Sequence, residues 1–277
     1  MPGRQVPGGL SVSSMSWPRV TDGASPDRYH GASYPNFRSL AQRMNVSGKK
    51  ALVFGGTSGI GLATVSQLIE LGADVVAVGR DAAKAAALPA KATFKQCDVR
   101  DRDALEALYK ELAPFDILVS AATGGSRALG PFASMDIDGY MGSFDKLWGY
   151  ANVVRYGLEH LTDHGAIVLV SGSPARRCGK GQVALSSVGG AVEALSRAVA
   201  KEIAPKRINV MSPGAIDTPM IPLAGTERDA HFERLTGNNL IARAGTADEC
   251  AHGIVFLIQN DFVTGTTLDV DGGILLS

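Results

Sequence analysis

The sequence predicts an α/β chain built on a doubly wound parallel sheet. Short, continuously apolar runs recur from residue 47 onward, each is followed by a stretch with helical spacing, and the first run ends in a glycine-rich loop. Apolar strands separated by amphipathic helices describe βαβ units whose sheet is covered on both faces. Ala51–Phe54 is the first strand, and Ile60–Leu71 carries the first helical period. Asp74–Val78 is the second strand, followed by an alanine-rich helix near Asp81–Leu88. Thr93–Gln96, a helix over Asp103–Glu111 and the strand Ile117–Ser120 come next. A helix over Asp138–Leu161 precedes the strand Ala166–Val170, and a helix over Ser186–Ala204 precedes the strand Ile208–Met211. No internal break interrupts the pattern, so residues 47–277 are expected to form one domain.

Residues 1–46 read differently. Pro2, Pro7, Pro18, Pro26 and Pro35 punctuate a Ser/Gly-rich stretch without isoleucine. Such a segment buries too little apolar surface to offset its ordering entropy, and a disordered or loosely attached extension is expected. Its arginines and serines suggest a transit peptide, but frequent proline and glycine break the amphipathic helix one needs, and a secretory h-region is missing. Met44 is a plausible initiator.

The whole chain has 277 residues, of which 45% are hydrophobic and 6% aromatic. Twenty-seven basic residues balance 27 acidic ones, which argues against a nucleic-acid partner that depends on neutralising many phosphates. The apolar runs fall short of the roughly 18 residues a bilayer span needs, so no membrane association is expected. Cys97, Cys178 and Cys250 lie far apart and form no Cys-x-x-Cys pair. That spacing suits neither a disulfide framework nor a zinc site, and it points to a reducing, cytoplasmic setting with no metal.

The loop Gly55-Gly56-Thr57-Ser58-Gly59-Ile60-Gly61 joins the first strand to the first helix. Residues without side chains there let backbone N–H groups approach a pyrophosphate, and the helix N-terminus adds partial positive charge. Gly55, Thr57, Ser58, Gly59, Ile60 and Gly61 are therefore expected to hold a dinucleotide. The Gly-x-x-x-Gly-x-Gly spacing resembles that of the short-chain dehydrogenase/reductase family, and the resemblance runs from about Gly48 to Gly273. Asp98-Val99 looks like that family's adenine-contacting pair. Ser212-Pro213-Gly214-Ala215-Ile216-Asp217-Thr218 resembles its nicotinamide-end segment. Phe262–Gly265 and Leu268–Gly273 resemble its C-terminal signature. The resemblance implies a Rossmann-type sheet of about seven strands, a small-molecule substrate, and a homodimer or homotetramer joined through the helices that hold Lys146–Leu161 and Ser186–Ala204. It also implies cofactor contacts from Asp98, Val99, Ala121, Ala122, Pro213, Gly214, Ile216 and Thr218. An NAD site places an acid about 20 residues past the glycine loop. Here that place reads Gly79-Arg80, and a guanidinium favours the 2′-phosphate of NADP(H) over NAD(H). The plainer alternative is that Arg80 is a solvated loop charge.

Most members of that family reduce a carbonyl with Asn, Ser, Tyr and Lys acting together. Aligning Ala191–Leu195 with the stretch after the lysine puts Gly189 in the lysine position and Leu185 in the tyrosine position, with Gly172 in that of the serine. Ser120-Ala121-Ala122-Thr123 stands where Asn-Asn-Ala-Gly is usual, and Lys146 occupies the position of the active-site asparagine. Neither leucine nor glycine can donate a proton to an alkoxide. The segment Phe144–Gly149, with Lys146 in it, resembles a divergent branch of the family that lacks Tyr-x-x-x-Lys. Lys146, desolvated beside the nicotinamide ribose, would donate a proton or stabilise an oxyanion. Otherwise it snorkels to solvent. Ser171 and Ser173, at the end of the fifth strand, are candidates to orient the substrate, and Tyr150, four residues beyond Lys146, is either an acid or core. Arg127 and Arg176-Arg177 are candidates to hold an anionic substrate, or solvated loop charges.

His160 and His164 have metal-ligand spacing without a third ligand and are expected to close a helix C-terminus. Cys178 lacks a histidine base. The segment Met220–Asn239 is expected to cover the substrate and carries no chemical signature. Three readings follow. One is an atypical NADP(H)-dependent oxidoreductase acting on a small carbonyl or alcohol. The second is a non-redox cyclase, dehydratase or isomerase on the same fold, and the third an inactive dinucleotide-binding sensor or partner protein.

Overall fold

The computed structural model describes residues 44–123 and 127–277. The expected N-terminal extension therefore lies, up to residue 43, outside the described residues. The folded body starts earlier than residue 47, because Val46 is buried in the core and the Met44 N–H donates to the Gln259 carbonyl at 3.2 Å.

Seven parallel strands form the sheet: β1 (Lys50–Phe54), β2 (Asp74–Gly79), β3 (Thr93–Gln96), β4 (Phe115–Ser120), β5 (Leu161–Val170), β6 (Arg207–Pro213) and β9 (Thr267–Val270). Two-residue strands β7 (Ile216–Asp217) and β8 (Gly245–Thr246) pair separately. The order in the main sheet is β3-β2-β1-β4-β5-β6-β9. Chain direction across the sheet reverses between β1 and β4, which opens a crevice at their carboxyl ends, where open α/β sheets bind ligands.

Alternation along the strands divides the core in two. Leu52, Phe54, Leu118, Ile167, Leu169 and Val210 face α2 (Arg102–Leu112), α4 (Asp145–Gly157) and α5 (Val183–Ile203). Ala51, Val53, Ile117, Val119, Val168 and Met211 face α1 (Gly59–Glu70) and α7 (Ala247–Gln259). Truncating a leucine, isoleucine or methionine among these to alanine would cost about 2–5 kcal/mol. The start of α7 is fixed by a reciprocal cap between Thr246 and Glu249, and buried Arg207 binds the Leu257 carbonyl at its other end at 2.8 Å.

Three local expectations need correction. The alanine-rich segment is a 3-10 turn over Ala82–Ala87 with no buried residue, because alanines alone give a helix no face to dock. The expected helix 138–161 is two helices, α3 (Ile137–Ser143) and α4. They part where the Ser143 hydroxyl folds back onto the Gly139 carbonyl at 2.8 Å and Phe144 ends one helix while capping the next. The chain enters β5 at Leu161, so His164 lies in a strand and His160 stacks on Tyr109. Among the described residues, α5 is by length and composition alone long and apolar enough to cross a membrane. Its Val188, Gly189, Val192 and Ser196 are nonetheless buried against the rest of the fold.

Candidate functional site

At the end of β1 the chain turns at Gly55, whose φ of +76° suits a residue without Cβ. A Cβ at Gly55 would lie 2.7 Å from the Ala122 nitrogen, and one at Gly61 would lie 2.0 Å from the Gly55 carbonyl oxygen. The loop therefore folds tightly on itself and against the end of β4, where the Ala121 N–H donates to the Phe54 carbonyl at 2.9 Å. No side chain caps α1 and no acid sits in its first turn. The N–H groups of Gly59, Ile60 and Gly61 are thus left without intrahelical acceptors. Backbone packed to this closeness beside a bare helix N-terminus fits a pyrophosphate.

The remaining residues expected to touch the cofactor gather around that cradle. A Cβ on Gly59 would come within 3.4 Å of Thr218, and one on Gly79 within 3.1 Å of buried Thr57. Exposed Arg80 follows Gly79, and its guanidinium reaches the Thr123 carbonyl at 3.4 Å. Ile216 lies in β7, and Pro213-Gly214 ends β6, where a Cβ on Gly214 would strike the backbone of Asp271. Arg228, on α6 (Gly225–Thr236), gathers the covering segment by donating to the carbonyls of Thr218, Ile221 and Leu223 and pairing with Asp217. Nothing in the sequence distinguished that arginine from other loop charges.

Asp98 and Val99 sit at the sheet edge, tied to α4. Arg100 pairs with Asp98 at 3.0 Å and with Asp145 at 2.9 Å, and this holds the Asp98 carboxyl below the usual range. Asn152 donates to the Val99 carbonyl at 3.1 Å. A Cβ on Gly149 would lie 2.5 Å from Val99, so only glycine lets α4 settle there. Asp145, Gly149 and Asn152 recur at helical spacing and form a docking face. Sequence reading missed this face because its partner is a loop 45 residues away.

That docking presents Lys146 to the end of β5. Its ammonium donates to the Ser171 carbonyl at 3.2 Å and lies 5.5 Å from the centre of the Tyr150 ring. Burial first, and the charge of Arg127 second, pull the Lys146 pKa down to about 7. The lysine therefore points into the fold and does not snorkel. Tyr150 is 1% exposed, its hydroxyl donates to the Val170 carbonyl at 3.0 Å, and burial pushes the phenol well above its ordinary range. With its proton held in the core, this tyrosine lies beneath Lys146 in the position of the core alternative.

The two serines separate. Ser171 donates to the Gly189 carbonyl at 3.2 Å, tying β5 to α5, and keeps lone pairs to accept with. Ser173 opens a 3-10 turn over Ser173–Ala175, and its hydroxyl bonds none of the described residues. Ala175 of that turn rests on α5: a Cβ at Gly189 would lie 2.9 Å from it. The place of the family's lysine is thus filled by a packed turn. The same turn is pinned by Arg176, which pairs with buried Glu193 at 3.3 Å and with Asp269. Arg176 is therefore a structural ion-pair member and not a free anion holder.

Burial raises the Cys97 thiol to about 11 and the Cys250 thiol to about 12, which makes both poor nucleophiles. Among the described residues no three His, Cys, Asp or Glu side chains group as a metal site.

Known proteins agree with this geometry. A family model described as enoyl-(acyl carrier protein) reductase matches residues 55–275. The chain is 32% identical over 240 residues to a 3-oxoacyl-[acyl-carrier-protein] reductase of Rattus norvegicus, covering 83% of this chain and 99% of that one. Among solved structures, a small-chain dehydrogenase in complex with NADPH matches with a TM-score of 0.71 and 27% identity, over 83% of this chain and all of that one (100%). The MalC reductase/Diels-Alderase of Malbranchea aurantiaca matches with a TM-score of 0.75 and 25% identity, over 83% and 90% of the two chains. The tight glycine cradle, the seven-stranded order and these likenesses agree: the chain belongs to the short-chain dehydrogenase/reductase family.

Proposed function

We propose that the chain is an NADP(H)-dependent oxidoreductase that moves hydride between nicotinamide and a small carbonyl or alcohol, with Lys146 as its proton-carrying group. The observation that carries this reading is the Lys146 ammonium, desolvated at the β5 end on a backbone carbonyl and an aromatic ring. A group whose pKa lies near the working pH suits general acid catalysis, and Lys146 is pulled to about 7. When bound, the dinucleotide supplies the hydride. Gly55, Thr57, Ser58, Gly59, Ile60 and Gly61 would hold its pyrophosphate, with Asp98 and Val99 at the adenine. Ala121, Ala122, Pro213, Gly214, Ile216 and Thr218 would flank its ribose and nicotinamide. Lys146 would pass its proton to the carbonyl oxygen as the hydride arrives, with Ser173 or Ser171 orienting that oxygen. Arg80, beside the cradle and without a carboxylate partner among the described residues, would select the 2′-phosphate.

Steady-state NADPH consumption with aldehydes, ketones and quinones tests this reading. Turnover should appear and be lost in Lys146→Ala. Turnover in the wild type that survives this substitution sinks the assignment. Arg80→Ala should weaken NADPH more than NADH, and equal effects would remove the cofactor preference.

Leu185 and Gly189 in the positions of the tyrosine and lysine favour a second reading, a non-redox reaction on the same fold, and the name of the MalC protein includes such an activity. It predicts product formation without net NADPH consumption. A dinucleotide-binding protein without chemistry would show binding and neither outcome. We take the chain as cytoplasmic and homo-oligomeric, with exposed Trp148 on α4 and Phe262 suited to burial against a second copy. Residues 1–46 are assigned no catalytic role.

A further inference from the structure

Two cations stand at the mouth of this site, and most of the neighbouring carboxylates are engaged elsewhere. Arg127 follows β4 on an anchored stretch of loop. The next residue, Ala128, donates its N–H to the Ser143 hydroxyl at 2.9 Å, and the Ala128 methyl rests beside Gly139. Both contacts seat Arg127 on α3, whose last residue, Ser143, is only three positions before Lys146. The charge of Arg127 accordingly acts on both Lys146 and Tyr150. Lys146 donates only to the Ser171 carbonyl, and Arg127 forms no ion pair among the described residues.

Most carboxylates on the surrounding elements are taken, and Asp138 of α3 is exposed to solvent. Asp98 and Asp145 hold Arg100, Glu193 and Asp269 hold Arg176, and Asp217 holds Arg228. Asp136 caps α3 through the Asp138 and Gly139 N–H groups, and Asp271 accepts from the Gly273 and Leu275 N–H groups. Two like charges facing one crevice without a counterion among the described residues repel each other, and an incoming anion relieves that repulsion.

We propose that Arg127 and Lys146 form an anion-binding subsite and that the substrate is an oxo acid, whose carboxylate Arg127 holds while its carbonyl faces Lys146. This deepens the oxidoreductase reading and rests on it for the placement of Lys146. A planar guanidinium fork matches a carboxylate bidentately. A phosphate fits less well, because an acidic side chain stands at the start of each helix beside the pair. Asp136 caps α3, and Asp145 occupies the first turn of α4.

The test is binding by calorimetry to the full chain saturated with NADP+, using short-chain 2-, 3- and 4-oxo acids, each against its own methyl ester. At least one acid should bind about tenfold tighter than its ester, a difference expected of one charge-assisted contact. That preference should vanish in Arg127→Gln while NADPH affinity stays within about twofold, and Arg127→Lys should restore part of it. The proposal is overturned if no acid outbinds its ester, if the preference survives Arg127→Gln, or if the substitution weakens NADPH as much as it weakens the acid. Arg127 is exposed, so the variant's thermal midpoint should match wild type. A lower midpoint moves the comparison to Arg127→Lys against wild type, in which the acid preference should shrink without vanishing while NADPH affinity holds, and an undiminished preference overturns the proposal. Equal turnover of acids and esters would leave the oxidoreductase standing and remove this subsite. Selective binding of acids without NADPH consumption would keep the subsite and remove the oxidoreductase.

Discussion

Glycine does opposite work in the two halves of the crevice. At Gly55 and Gly61 a missing Cβ lets backbone approach backbone, and the space so shaped opens toward unpaired N–H groups at the start of α1. At Gly189 the missing Cβ lets the Ala175 turn settle on α5, and the volume a lysine stem would need is closed. The first half keeps the geometry a dinucleotide needs, whereas the second has been repacked around Lys146 of the neighbouring helix. The lesson is that the place of the family's lysine is filled by packed backbone rather than left open. Arg176, Glu193 and Asp269 hold that turn in place.

The sharpest way to separate the halves is Lys146→Ala. It should lower kcat/KM by about 10²–10⁴-fold, the range of a lost general acid, and leave NADPH affinity within a few-fold by fluorescence titration. A large loss of NADPH affinity would mean the halves are not separable. Next in size is a pair of glycine substitutions. Gly61→Ala should weaken NADPH binding by more than about tenfold, because its Cβ collides with the backbone that forms the cradle. Gly189→Ala should instead spare binding and lower unfolding free energy by about 1–3 kcal/mol in urea, the cost of overpacking. If Gly189→Ala is neutral in stability, the filled-site argument fails.

The third contrast uses pH. Lys146 is pulled from its ordinary 10.5 to about 7 in the folded protein. Between those values the unfolded chain binds more protons than the folded one, so folding stability attributable to this group rises with pH across the window. The charge penalty is fully present below about pH 7. Lys146→Met should therefore stabilise the fold most at pH 6, with the gain fading toward pH 10, as read from denaturation midpoints. A constant gain would show that the lysine titrates normally. For the same reason, carbonyl reduction by the wild type should fall as pH rises through about 7, where the ammonium is lost. The smallest effect belongs to the link between the halves. Arg100→Ala breaks half-exposed ion pairs to Asp98 and Asp145 and should cost about 0.2–1 kcal/mol in thermal or urea unfolding. A loss several times larger would make this link part of the core rather than a surface tether.

Much of this architecture was legible because it rests on local pattern. Continuous apolar runs located β1, β2, β4, the second half of β5 and β6, and the glycine spacing located the cradle, since both follow from backbone sterics within a few residues. The break between α3 and α4 was not legible. It depends on Ser143 meeting Ala128 across the fold, and nothing in the run from Asp138 to Leu161 announces it. Neither was the alanine segment's retreat to a 3-10 turn, where propensity favoured a helix that no packing surface sustained.

By itself, then, the sequence determined a dinucleotide cradle on a parallel α/β sheet and the loss of the usual acid residues, because glycine spacing and residue identity act locally. Only the tertiary structure decided what replaced them. Whether Lys146 is solvated or desolvated, whether Tyr150 faces the crevice or the core, and whether Arg176 is free or paired depend on contacts between residues distant in the chain. Burial and charge pairing are properties of that packing, and residue order does not encode them locally.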